Sequence, residues 1–272
     1  MPPLSTPLTN PRSDRVKAVR ALSRRSGRSR AGRFLAEGPQ SVREAVRWRP
    51  QEVVDLYVTA EAAERHADVV AAADASGLFV HEVSEPVLAA MCDTEQPQGL
   101  AAVCRVASAT LDSVLSTGPR LLVLLTNVRD PGNAGTVIRG ADAVGADAVL
   151  VSESSVDVFG PKVVRSTAGS LFHLPVITGL PIEGTLETLR AHGIRLLAAD
   201  GAGERLLPDV DLTGPHAWVM GNEAWGLEPH VRERCDEVVR VPIHGKAESL
   251  NLAMAATVCL YASAGALHPR TR

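Results

Sequence analysis

Aromatic residues make up only 3% of the 272-residue chain, so Leu, Val and Ala must build its core. Cysteine is scarce too: Cys92, Cys104, Cys235 and Cys259 lie far apart, with no Cys-x-x-Cys pair. Neither a zinc site nor a disulfide framework is indicated, so no metal is expected, and this cysteine usage fits a reducing compartment. The opening residues, MPPLSTPLTNPRSDR, lack the apolar stretch of a signal peptide. The longest apolar run, 252–267, is Ala-rich and falls short of the ~20 residues that span a bilayer. It reads as a buried helix, and the expected compartment is the cytoplasm.

What is present is ordinary for a soluble protein, with 45% hydrophobic and 22% charged residues. The length suits two domains or one large one. A net charge of -3 hides an uneven distribution, because Arg12 to Arg33 carries nine basic residues against one acid, Asp14. That segment is +8 and the remainder is near -11. A basic arm on an acidic body suits a polyanion, since Lys and Arg displace counterions condensed on phosphates. A solvated or disordered tail would have the same composition.

Residues 1–11 hold four of the eighteen prolines and are expected to be loose. Residues 12–107 read as a small α/β unit, with strands at 53–58, 78–83 and 100–106 and one Ala-rich helix over 60–76. The stretch 108–119, rich in Ser, Thr, Gly and Pro, reads as a linker. Residues 120–272 form the second domain. LLVLL at 121–125 is a continuous apolar run typical of a strand buried on both faces of a parallel sheet. Further strands are expected at 148–151, 174–177, 194–199, 217–220 and 237–241. The fold class is α/β, with a doubly wound parallel sheet in the second domain. Ligands bind such sheets beyond the carboxyl ends of the strands, so four loops matter most.

The loop after 121–125 runs from Thr126 through Pro131-Gly132 to Asn133, which suits a helix cap. Along that helix Val137, Ala141 and Val144 make a core face. Arg139 points away from it, either to a substrate or simply to solvent. The loop after 194–199 holds Asp200-Gly201-Ala202-Gly203, but the third glycine of a dinucleotide fingerprint is missing, since position 206 is Leu. The loop after 217–220 reads Gly221-Asn222-Glu223-Ala224-Trp225-Gly226-Leu227, with a carboxylate at the sheet's rim. The last runs from Val241 to Asn251. Ser249 is expected to cap a helix that buries Leu250 and Met254, and Asn251 is a polar residue that needs a partner or a task.

NVRDPGNAGTVIRGADAVG, GNEAWGL and VPIHGKAESLNLAMA, in this order, resemble the three motifs of the SpoU/TrmH family of 2′-O-ribose RNA methyltransferases in the SPOUT superfamily. KVVRSTAGSLFHLPV (162–176) resembles the family's usual counterpart. RAGRFLAEGPQSVREAV (30–46) resembles its N-terminal substrate-binding domain, which is similar to certain small ribosomal proteins. One departure is local: Ala224, followed by Trp225, stands where the family often has glycine. The resemblance implies a deep trefoil knot around 217–260 and a homodimer in which the partner completes each site. The apolar helix 250–264 suits that interface, and equally suits core burial.

The resemblance further implies S-adenosylmethionine as cofactor, contacted by Ala198, Asp200, Gly221, Val241, Ile243 and Leu250. It implies that Arg139 activates the ribose hydroxyl, supported by Asn133, Glu223, Ser249 and Asn251. A guanidinium keeps its proton, with a pKa above ~12, so a charged Arg139 that binds the neighbouring phosphate is preferred to a general base. Arg24, Arg25, Arg28, Arg30, Arg33, Arg129, Lys162 and Arg165 are the expected RNA contacts. Ribosomal RNA is favoured over tRNA as substrate, and a catalytically silent RNA-binding module is the rival reading. A self-resistance role against a ribosome-directed antibiotic is a further option.

Overall fold

The computed structural model describes residues 7–107 and 109–268. Residues 1–6 of the expected loose N-terminus and residue 108 of the expected linker lie outside the described residues. The chain divides into two compact units, one of Met1–Ala107 with Asp157–His173, the other of Ser108–Val156 with Leu174–Arg272.

In the first unit the basic segment is structured. Helix α1 (Asp14–Ala21) starts at Ser13, whose side chain accepts the Val16 N–H, and buries Val16 and Val19. Helix α2 (Arg25–Ala31) ends at Gly32 in the left-handed region. A Cβ at Gly27 would lie 2.0 Å from the Ala21 carbonyl oxygen, so only glycine lets α2 fold this closely onto α1. Strand β1 (Arg33–Glu37) and helix α3 (Pro39–Trp48) follow. The sequence reading had no strand at β1.

Strand β2 (Val53–Val58) leads into α4 (Ala60–Arg65) and α5 (Ala67–Ala75). The single helix expected over 60–76 is therefore two. The chain leaves helical geometry at His66 (φ -119°, ψ 42°), with neither Gly nor Pro to mark the break. Strand β3 (Val80–Glu82), α6 (Glu85–Met91) and β4 (Leu100–Arg105) complete a sheet of order β1-β4-β2-β3. Leu35, Tyr57, Ala101 and Val103 join Val16, Val19, Val87 and Leu88 in its core.

The second unit begins with α7 (Leu111–Leu115), β5 (Leu121–Leu125), α8 (Pro131–Ala143) and β6 (Ala148–Ser152). The chain then returns to the first unit as α9 (Pro161–Ser166), so the second domain is not one unbroken segment as expected. Two aromatic contacts explain that return, with Phe34 5.1 Å from Phe159 and 6.0 Å from Phe172 between ring centroids. Back in the second unit come β7 (Val176–Leu180), α10 (Ile182–Ala191), β8 (Arg195–Ala199), β9 (Arg205–Leu206) and β10 (His216–Met220). Helix α11 (Pro229–Glu233), β11 (Glu237–Arg240) and α12 (Leu252–Leu267) end the described chain.

All seven strands of this sheet pair in parallel, in the order β7-β6-β5-β10-β8-β11-β9. On one face Leu124, Leu150, Leu196, Ala198 and Val219 pack with side chains of α7, α10 and α11. On the other, Trp218 of β10 donates its indole N–H to Ser263 Oγ of α12 (2.8 Å). No helix among the described residues is long and apolar enough to cross a membrane.

Candidate active site

The carboxyl ends of β5, β8, β10 and β11 carry the loops singled out by sequence. After β5, the Thr126 N–H and hydroxyl both donate to the Met220 carbonyl (2.8 and 2.9 Å), tying this loop to the end of β10. Asn127 has φ 56°, a left-handed conformation uncommon outside glycine but tolerated by asparagine. Its carbonyl accepts from Asn222 Nδ2 (2.7 Å) and its own Nδ2 donates to Glu228 Oε1 (3.2 Å). Helix α8 is capped by Asp130, which accepts the Asn133 N–H (2.7 Å), with Pro131 in the first turn. The expected cap, Asn133, thus sits inside the helix. An aspartate before a proline fills the cap position, which leaves the Asn133 amide free for another contact.

After β10, Asn222 and Gly226 exchange backbone hydrogen bonds of 2.8 and 2.9 Å, closing a tight loop with Glu223, Ala224 and Trp225 at its tip. Asn222 Oδ1 accepts the Ala224 N–H (2.8 Å), and Asp200 Oδ2 accepts that of Leu227 (3.3 Å). A Cβ at Gly221 would come within 2.3 Å of the Gly226 carbonyl group. Gly221 is therefore required by the loop itself, and a bulky substitution there would break the loop before it filled any ligand space.

Glu223 is held firmly at this tip. Its Oε2 accepts the Arg129 N–H (3.1 Å), and Oε1 accepts the Asp130 N–H (3.0 Å) and Asn133 Nδ2 (3.3 Å). Partial burial pushes its pKa up, but the backbone and Asn133 hydrogen bonds outweigh this and hold it below the usual 4.5. Near neutral pH this carboxylate is an anchored anion and a poor proton acceptor.

Asn251 joins the same constellation. Its Oδ1 accepts the N–H groups of Ala253 and Met254 (2.9 and 3.3 Å) and caps α12, the part expected of Ser249. Asparagine meets these two N–H groups and still donates from Nδ2 to Asn133 Oδ1 (2.9 Å). A chain of donors therefore runs from Asn251 to Asn133 to Glu223. Met254 is exposed, contrary to expectation, because the inner face of α12 is built by Ala253, Ala256, Cys259, Leu260 and Ser263.

The loops after β8, β10 and β11 line a cavity of about 780 Å³. Asp200, Gly221, Val241, Ile243 and Leu250 line it, as do Glu223 and Ser249. Ala198 does not. It points into the core between sheet and helices, and its neighbour Ala199, on the opposite face of β8, lines the cavity. The lining combines glycine-rich backbone and apolar side chains with the carboxylates of Asp200, Glu223 and Glu248 and the cations Arg232 and Arg240. Arg232 lies 3.8 Å from Asp200, and there is no glycine-rich phosphate loop at a helix start among the lining residues. The volume lies within the ~300–1,000 Å³ usual for small-molecule sites. This donor set fits a cationic, phosphate-free nucleoside cofactor.

Arg139 is exposed on α8, with Val137 and Ala141 buried behind it. It does not line the cavity, and no hydrogen bond joins it to Glu223, Asn133 or Asn251. Arg24, Arg25, Arg30, Arg33, Arg129 and Lys162 are exposed. Arg28 corrects the expectation for its segment, being only 7% exposed. It donates to Asp157 Oδ2 (2.6 Å) and to the carbonyls of Leu22 and Ser23 (2.8 and 2.9 Å), which makes it part of the packing. Arg165 is likewise engaged, with Glu37 at 3.3 Å and Asp93 at 3.1 Å. Asp130, Asn127 and Asn222 had no assigned part. Their place within the quoted motifs, Asn127 and Asp130 in the first and Asn222 in the second, was the signal the sequence carried. Among the described residues, no three His, Cys, Asp or Glu gather where a metal could bind.

The model of the SpoU rRNA Methylase family matches residues 120–261, and that of the MRM3-like substrate binding domain matches residues 13–102. The 23S rRNA (guanosine(2553)-2′-O)-methyltransferase RlmP of Bacillus subtilis is 33% identical over 254 residues, covering 92% of this chain and 96% of its own. RlmB of Bordetella pertussis, a 23S rRNA (guanosine-2′-O-)-methyltransferase, is 32% identical over 223 residues, covering 80% and 91%. The AdoMet-bound rRNA methyltransferase of Sinorhizobium meliloti superposes with a TM-score of 0.82 at 30% identity, over 95% of this chain and 97% of its own. The SpoU methyltransferase AviRb of Streptomyces viridochromogenes, in complex with AdoMet, gives 0.79 at 32% identity, over 93% and 98%. With two of its motifs lining one cavity and the first joined to them through Asn133, a parallel sheet beneath them and both domain models matched, the chain belongs to the SpoU rRNA methylase family.

Proposed function

We propose that the protein transfers a methyl group from S-adenosylmethionine to the 2′-hydroxyl of a guanosine in 23S ribosomal RNA, as a cytoplasmic homodimer. The observation that carries this reading is the Asn251–Asn133–Glu223 hydrogen-bond chain, which ends at a residue lining a cavity suited to the cofactor. The printed activities of the relatives support the substrate, and the AdoMet in two similar structures supports the cofactor. Asp200, Gly221, Val241, Ile243 and Leu250 would hold it, and when bound it supplies a methyl group activated on a sulfonium.

The chain's own work is alignment. The anchored Glu223 fixes the β10 loop against the start of α8, and Asn133 and Asn251 hold the start of α12 beside it. Glu223 is thereby a positioning residue. Ser249, exposed at the cavity rim, is placed to meet substrate. Arg139, as a charged guanidinium, would bind the phosphate next to the reacting ribose and stabilise the developing alkoxide.

Its absence from the cavity lining supports the dimer, in which each site takes Arg139 from the second copy. The outer face of α12 supports it too: Met254, Val258 and Tyr261 are 60%, 43% and 57% exposed at helical spacing. The family's trefoil knot is part of the same proposal. It is supported by a topology in which β10 enters between β5 and β8, and β11 takes the far side of β8. Residues 12–107 would bind RNA, with the parallel-sheet unit carrying the catalysis. Mapping ribose methylation in total RNA from cells with and without the gene tests the substrate. One 2′-O-methylguanosine lost from 23S rRNA is expected, whereas a loss confined to tRNA would reassign it.

A further inference from the structure

The loop after β10 carries one large aromatic at its tip. Trp225 is 58% exposed and lines the mouth of the cavity. Its backbone is fixed from both sides. The Asn222–Gly226 hydrogen bonds close the loop around it, Asn222 Oδ1 holds the preceding Ala224 N–H, and Asp200 holds the Leu227 N–H. Two residues before it, Glu223 is anchored by three donors. The indole is thus a large π surface presented to solvent from a fixed loop, one side chain removed from the Glu223 anchor.

We infer that Trp225 is a nucleobase subsite, on which the unpaired base of the target nucleotide stacks while its ribose enters the cavity. This rests on the proposed RNA 2′-O-methylation. A ribose delivered to the Glu223 rim must carry its base within one glycosidic bond of that rim, outside the cavity proper. Trp225 is the large exposed apolar side chain on this loop. Val241, Ile243 and Leu250, which also line the cavity, would offer the cofactor's own base other apolar partners. Stacking suits the need, because a base pulled out of its helix loses its neighbours and every base offers a π face. Rigidity adds to the gain, since little is lost in ordering an indole whose backbone is already held.

The test compares Trp225→Ala, Trp225→Phe and Trp225→Leu with the parent chain, using an unmodified 23S rRNA transcript as probe. Trp225→Ala should raise the RNA KM, and the Kd in a binding assay, by about ten-fold or more. Phe should restore most of this, and Leu, which keeps apolar bulk without a π face, should not. S-adenosylmethionine affinity by calorimetry should stay within about two-fold in all three, which also reports that the loop is intact. A large loss of cofactor affinity in Trp225→Ala would make the indole a cover for the cofactor, and equal rescue by Leu would make it packing. Either result overturns the inference, as does a Trp225→Ala chain that binds the transcript normally. Loss of dimerisation in Trp225→Ala would assign the residue to a subunit contact instead. Should the parent chain bind the transcript without methylating it, the functional reading fails separately, and transcript affinity still decides the stacking.

Discussion

At the residue scale the chemistry turns on a few side chains whose surroundings set their parts. Arg139 is exposed and has its helix packed behind it by Val137 and Ala141. Arg139→Ala should therefore abolish methyl transfer while the melting temperature and cofactor affinity stay near those of the parent. Arg139→Lys should recover little, because an ammonium lacks the planar fork that bridges a phosphate and a hydroxyl. Near-normal turnover of Arg139→Ala at saturating cofactor would remove the residue from the mechanism.

His216 behaves differently. Burial pushes its pKa below the ordinary 6.5, the Gly214 carbonyl contact opposes this, and Arg195 and Arg120 push it lower still. The ring also meets Ser263 Oγ at 2.7 Å. Because the unfolded chain takes up the proton first, stability is fully present above the unfolded pKa of 6.5 and falls as pH drops from there towards the folded value. Thermal melts from about pH 7.5 to about pH 5 should show a drop that is smaller in His216→Phe. Parallel curves for the two chains would mean that another group controls the acid limb.

At the scale of elements, the basic helices α1 and α2 separate two uses of arginine. Replacing the exposed Arg24, Arg25 and Arg30 with Gln should weaken RNA binding across sequences and flatten its salt dependence, with little change in stability. Replacing buried Arg28 with Ala should instead cost about 3 kcal/mol, because Asp157 and two carbonyls lose their partner. Salt titrations and chemical denaturation separate these outcomes, and an unchanged salt slope would make the exposed arginines merely solvating.

The same elements show what a sequence exposes. LLVLL became β5 at its expected limits, because a strand buried on both faces must be apolar throughout. The sequence reading had no strand at β1, since RFLAE is short and its charged ends mask a buried centre. The motif loops pointed to the cavity because small residues and carboxylates cluster at strand ends. The expected caps fall three residues too late on α8 and two too early on α12. Asp130 against Asn133, and Asn251 against Ser249, are choices made by tertiary hydrogen bonds that local pattern does not carry. Ala198 against Ala199 is a matter of strand parity, which needs the sheet's faces to be known.

At the scale of the whole molecule, the proposed dimer makes a prediction of its own. A chain with Arg139→Ala and a chain with Glu223→Ala should each be nearly inactive. If each site takes Arg139 from the second copy, re-associating them should restore about a quarter of the parent activity, since half of the dimers hold one intact site of two. No recovery on mixing would place both residues in one chain. Met254→Glu with Tyr261→Glu should shift the protein to monomer in sedimentation and remove activity with it.

The central claim is methyl transfer to a ribose oxygen of ribosomal RNA. Its most direct measurement incubates the purified protein with S-adenosylmethionine carrying a labelled methyl group and an unmodified 23S rRNA transcript, then digests the RNA to nucleosides. Label should appear in 2′-O-methylguanosine from a single position, and Arg139→Ala should show none. Label on a base, on many riboses, or only when tRNA replaces the transcript would contradict the account.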